Sequence, residues 1–158
     1  MQTLSVPEIG QEAPDFQLRG PSGTIYSLSE YRGDKNVLLV FFPLAFSPVC
    51  AHQMPEIQRQ LARFDRADTV VFGISVDSHW SNTAFARSLR LDFPLLSDWK
   101  REASSAYGTL LHEQNYSARA SFLVDKAGRV AWKEVAPTTN SLESVPSVEA
   151  VLALLERA

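Results

Sequence analysis

Four consecutive residues, Ser47-Pro48-Val49-Cys50, join a good helix start to the one thiol of the chain. Serine is a preferred N-cap, and proline is preferred at the next position, N1. That places Val49 at N2 and Cys50 at N3, in the first helical turn. Backbone N–H groups there have no intrahelical partner, and the helix dipole is positive. Both favour a thiolate over a thiol, and helix N-termini are a known setting for depressed cysteine pKa. The chemistry open to such a group is nucleophilic attack with oxidation of the sulfur. Against it stands the common fate of a lone cysteine, an inert and buried small hydrophobe.

Other sulfur and nitrogen chemistry is disfavoured. One cysteine makes no internal disulfide and builds no thiolate zinc site, so we expect neither metal nor cofactor. Gln53 stands where a Cys-x-x-Cys reductase would have its second cysteine. His52 follows Cys50 by two residues, about 200° around the helix, and so points away from it. His79 and His112 lack ligand-like spacing and are expected at the surface.

Stepping outward from the cysteine, the 158 residues fit one domain spanning 1–158, with 45% hydrophobic and 21% charged residues. A net charge of −3 gives no basic field for nucleic acid or anionic membrane. The run from Val37 to Phe46, interrupted by Pro43, is too short to span a bilayer. The first sixteen residues lack a basic segment followed by an apolar one, so the expected location is cytoplasmic.

The elements that must hold Cys50 follow from patterning. Val37 to Phe42 is β-branched and aromatic on both faces, as in a central strand covered on both sides. Before it, Asp15–Leu18 and Thr24–Leu28 flank the turn signal Gly20-Pro21-Ser22-Gly23 and read as a hairpin. After it, a helix runs from Ser47-Pro48 towards Ala67, and Thr69–Val76 is a second buried strand. His79–Leu91 reads as a helix, Leu95-Leu96 as a short edge strand, and Arg101–Tyr107 as a short helix stopped by Gly108. Ser121–Val124 and Arg129–Val135 flank Asp125-Lys126-Ala127-Gly128, a second hairpin. Val148, Val151, Leu152 and Leu155 mark an amphipathic closing helix. This order predicts an α/β domain: a mixed central sheet with helices on both faces.

The spacing Pro43-x-x-x-Ser47-x-x-Cys50 resembles the peroxiredoxin active-site motif, Pro-x-x-x-(Thr/Ser)-x-x-Cys. Ala13-Pro14-Asp15-Phe16, Leu28 through Gly33, Val37 to Pro43, Phe93 to Asp98, Ala106-Tyr107-Gly108 and Arg119-x-Ser121-Phe122-x-Val124-Asp125 also resemble peroxiredoxin segments, in the same order. The run from Asn36 to Phe46 is most similar to the AhpE-type one-cysteine subgroup. The resemblance implies a thioredoxin-like fold with an added N-terminal β-hairpin. It implies a thiol-dependent peroxidase that reduces hydrogen peroxide or organic hydroperoxides, with Cys50 as the peroxidatic nucleophile. Ser47 would hydrogen-bond the sulfur and the peroxide, Pro43 would shield the pocket from water, and Arg119 would stabilise the thiolate and orient peroxide oxygen.

Val49, Gln53 and Trp99 are the expected substrate-binding positions, although Trp99 reads equally well as core packing. Ser47 is expected to cap its helix in either case. Gln53 departs from the family, which commonly has Glu there; Gln still accepts a hydrogen bond from arginine but brings no charge. With no second cysteine, the sulfenic acid needs an external thiol: a low-molecular-weight thiol, a glutaredoxin-type protein or thioredoxin. A homodimer is a candidate assembly. Two rival readings are a peroxide sensor and a binding module with a merely structural cysteine.

Overall fold

The computed structural model describes residues 6–136 and 148–157, and of residues 49–51 the helical backbone without the side chains. In chain order the elements are β1 (Gln17–Arg19), β2 (Ile25–Ser27), β3 (Asn36–Phe41), α1 (Pro48–Arg59), α2 (Leu61–Arg66), β4 (Thr69–Ser75), α3 (His79–Ser88), β5 (Leu95–Ser97), α4 (Glu102–Ala106), β6 (Leu110–Leu111), β7 (Tyr116–Ser117), β8 (Ala120–Val124), β9 (Val130–Val135) and α5 (Val148–Glu156).

Seven strands form one sheet in the order β2-β1-β5-β4-β3-β8-β9, and β6 pairs with β7 apart from it. The sheet is mixed, because β3 runs parallel to β4 and antiparallel to β8. Both expected hairpins form. The first turn uses Ser22 and Gly23 at positive φ. In the second, Asp125 Oδ1 accepts from the backbone N–H groups of Ala127 and Arg129, and Gly128 takes φ +80°.

Period-2 alternation sorts the apolar residues of β3 onto two faces. Val37, Leu39 and Phe41 join one buried cluster with Phe72, Ile74, Tyr107 and Phe122, against α4. Leu38, Val40 and Phe42 join the other, with Met54, Ile57, Phe64, Phe85 and Leu152 from α1, α2, α3 and α5. Each buried leucine or phenylalanine contributes roughly 1.5–3 kcal/mol over its exposed state, so β3 anchors both layers. Of the closing helix, Val151 and Leu152 are buried and Val148 and Leu155 half-buried.

Two expectations need correction. Leu95-Leu96 is not at an edge: β5 lies inside the sheet, parallel to β4 and bridged to β1. Leu95 feeds one cluster and Leu96 the other, so a strand this short is buried on both faces. The helix after Ser47 is also not continuous. The backbone leaves helical geometry at Gln60 (φ −101°, ψ 5°), and the change of direction brings both Ile57 and Phe64 into one cluster. Among the described residues, no helix is long and apolar enough to cross a membrane.

Candidate active site

Strand register decides which residues meet. Phe41 pairs with Ile74 on one side and Ala120 on the other. The chain leaving β3 at Phe42-Pro43 therefore emerges beside the end of β4 and beside Arg119, which immediately precedes β8. At this end of the sheet the segment Pro43–Ser47 turns into α1. Phe42 is held closely from the neighbouring strand: a Cβ on Gly73 would collide with Leu95 Cδ2 and lie 3.3 Å from Phe42 Cε1.

Pro43 is buried, whereas Leu44 and Phe46 are exposed. Phe46 adopts φ +68°, a left-handed conformation unusual for a bulky residue, and its ring packs 5.0 Å from that of Phe85. The Ala45 N–H donates to Asp77 Oδ2 at 2.8 Å. Asp77 is thereby tied to the turn that leads into α1, and patterning alone did not single it out. Ser75 Oγ lies 2.8 Å from the same carboxylate oxygen and 3.1 Å from Asn82 Oδ1, while Asn82 Nδ2 donates to the Leu96 carbonyl.

Ser47 takes the N-cap position of α1 with extended backbone (φ −69°, ψ 148°), and Pro48 follows at N1. Its side chain does not cap. Ser47 Oγ is buried and has no hydrogen-bond partner among the described residues. The expected cap is thus made by backbone geometry and Pro48 alone, and the hydroxyl is left for another acceptor or donor. A buried hydroxyl without a partner costs on the order of 1–3 kcal/mol, which calls for a reason.

Cys50 is the third residue of α1, as its sequence position requires. The expected substrate contacts of Val49, like the thiol itself, rest on side chains that lie outside the described residues. One turn further, Gln53 is only 3% exposed, and its Oε1 sits 3.5 Å from Arg119 Nη1. Arg119 is 1% exposed. Its carbonyl accepts from the Ala136 N–H at 2.8 Å, which fixes its backbone. A full cationic charge is therefore brought under the first turn of α1, facing a side chain that is neutral. His52 points to solvent, and His112 is exposed as expected. His79 is half-buried, stacked 4.0 Å from Trp80.

Trp99 departs from the core-packing expectation. It is 62% exposed and so is not core. It lines a surface groove with Arg19, Ile25, His79 and Trp80. The cause is its neighbour. Asp98 turns inward to accept from the Ala103 and Ser104 N–H groups and the Ser104 hydroxyl, which caps α4 and leaves Trp99 facing out. Burial raises the Asp98 pKa, and these three donors oppose the shift.

The architecture is thioredoxin-like. The reduced 2-Cys peroxiredoxin of Plasmodium vivax superposes with a TM-score of 0.83 at 28% identity, covering 94% of this chain and 80% of that one. AhpC of Mycobacterium tuberculosis gives 0.82 at 25% identity, covering 96% and 92%. The sequence comparisons agree. Residues 9–133 match the model of the AhpC/TSA family. Alkyl hydroperoxide reductase E of Mycobacterium tuberculosis is 38% identical over 129 residues, 80% of this chain and 84% of that protein. A chloroplastic 2-Cys peroxiredoxin of Spinacia oleracea is 32% identical over 165 residues, 98% of this chain and 61% of its own length. The chain belongs to the AhpC/TSA family of peroxiredoxins.

Proposed function

We propose that this protein is a one-cysteine peroxiredoxin that reduces hydroperoxides through Cys50. The thiolate attacks the terminal oxygen of ROOH, and the O–O bond breaks. The alkoxide or hydroxide leaves and takes up a proton, and sulfur becomes a sulfenic acid. An external thiol then displaces water from the sulfenic acid to give a mixed disulfide. A second thiol releases Cys50 and carries away the disulfide product. A low-molecular-weight thiol, a glutaredoxin-type protein or thioredoxin meets that need. The working picture is a single domain over 1–158 acting in the cytoplasm, with a homodimer as the assembly to test.

The observation that carries this reading is the Ser47 hydroxyl three residues before Cys50, buried and without a partner among the described residues. An acceptor or donor kept dry and unused at the entrance of a helix suits a small polar substrate. Thiolate formation alone explains little of the required rate. A thiol of pKa about 8.5 is already a few per cent ionised near neutrality, so full ionisation gains only about 15- to 30-fold. Enzymes commonly gain ~10⁶ or more, so alignment and charge stabilisation must supply the rest. In this reading Arg119, Ser47 and the first amides of α1 supply them, and Pro43 keeps water out.

The test is the rate at which reduced protein reacts with substoichiometric hydrogen peroxide or an organic hydroperoxide. Stopped-flow tryptophan fluorescence follows the reaction, and mass spectrometry with a sulfenic-acid trap locates the oxidation. The expected result is a rate orders of magnitude above that of a free thiol, abolished in Cys50→Ser. A rate like that of a free thiol for every peroxide would leave the binding-module reading.

A further inference from the structure

We infer that Asp77 is a positioning residue for this site: its carboxylate braces the Pro43–Ser47 turn so that the Ser47 hydroxyl and the start of α1 are held in the geometry the peroxide reaction needs. The inference rests on the peroxidase reading above.

The turn has few other polar ties. Its own internal bond, from the Ser47 N–H to the Leu44 carbonyl, is long at 3.4 Å. Phe46 sits at φ +68°, a conformation that costs on the order of 1 kcal/mol and persists only where surroundings impose it. Burial holds the turn only in part: Pro43 is buried and the Phe46 ring packs on Phe85, but Leu44 and most of Phe46 are exposed. The strong constraint is the charge-assisted bond from the Ala45 N–H to Asp77 Oδ2 at 2.8 Å.

Asp77 is itself well fixed. Ser75 Oγ lies 2.8 Å from the same oxygen, and the Asp77 N–H approaches Ser75 Oγ at 3.3 Å. Ser75 and Asn82 are both fully buried, and Asn82 Nδ2 donates to the Leu96 carbonyl at 3.2 Å. A continuous set of polar contacts therefore runs from β5 through α3 and the end of β4 to the turn. The turn is fastened to two interior strands rather than to its own loop.

Because Asp77 acts through Ala45, removing it should misplace Ser47 without removing any group that meets peroxide. A displacement near 1 Å at a reacting site costs up to about 100-fold, so Asp77→Ala should slow peroxide reduction by about 10- to 100-fold. Its rate of alkylation by iodoacetamide, which needs thiolate but no aligned Ser47, should stay within about threefold of wild type. Asp77→Asn keeps an acceptor for Ala45 and should recover most of the peroxide rate. A residue that only stabilises the fold would lower the melting temperature and leave both rates of the folded protein unchanged. Should Asp77→Ala not fold, Ser75→Ala frees the same carboxylate and should show the same selective loss of peroxide rate. Equal peroxide rates in wild type and the folded variant overturn the brace alone. A wild-type rate no better than a free thiol overturns the peroxidase reading and the brace with it.

Discussion

Replacing Ser47 with alanine should raise stability and lower activity at once. For a serine that caps its helix, alanine costs about 1 kcal/mol. Ser47 makes no cap bond, and its Oγ is buried without a partner among the described residues. Alanine there removes the hydroxyl and with it a desolvation penalty of roughly 1–3 kcal/mol. Some of that gain is lost to the small void left behind. We expect about 1 kcal/mol of added stability, and for a chain of this size that is a rise of roughly 2–4 °C in melting temperature. The rate moves the other way. A hydrogen bond to a charged or charge-developing group contributes about 1.5–3 kcal/mol, equivalent to a loss of about 10- to 150-fold in the second-order rate with peroxide. Calorimetry and stopped flow on the same preparation read both signs. Ser47→Thr keeps the hydroxyl and should keep the rate. A melting temperature that falls by 2–4 °C while the peroxide rate holds would refute the reasoning, since that is the signature of an ordinary cap.

Arg119→Ala should cost more in peroxide rate than the 15- to 30-fold or so that complete loss of thiolate character explains; a loss that tracks the thiol pKa alone refutes a positioning role. Gln53→Glu would put a carboxylate 3.5 Å from the Arg119 guanidinium, and the peroxide rate should change by less than about tenfold, because Gln already accepts from it; a variant more than about tenfold faster would show that neutrality at this position impairs the site. Bonds from Lys126 and then Lys35 hold the Asp68 carboxyl at about 2, below its ordinary 3.8. A folded pKa below the unfolded one contributes stability above the unfolded value and loses it as pH falls through the folded one. The melting temperature of wild type should therefore exceed that of Asp68→Asn near neutrality, with the gap closing between pH 3.8 and about 2; a gap that survives at the acid end counts against the pairing.

Where the sequence was legible, one local pattern carried the whole answer. Val37 to Phe42 is apolar at every position, and only a strand covered on both faces tolerates that, so β3 and its two layers could be anticipated. The placement of Cys50 at the third residue of α1 likewise follows from Ser-Pro, a preference written into adjacent residues. Where legibility failed, the deciding partner was distant or was a backbone group. Leu95-Leu96 looked like an edge because two residues cannot announce that β1 will cover their open side. Trp99 read equally well as a core residue, and the inward turn of Asp98 to α4 leaves it exposed instead. N-cap preference told us where Ser47 would sit but not where its hydroxyl would point, because the preference is satisfied on average by a bond this serine does not make. Asp77 is the sharpest case. Its partner is the N–H of an alanine 32 positions away, a group every residue but proline has, so no residue type at either end could reveal it. The chemistry of the site was written in side chains and could be read. Its alignment depends on backbone atoms brought together by the parallel pairing of β3 and β4, and that pairing only the fold supplies.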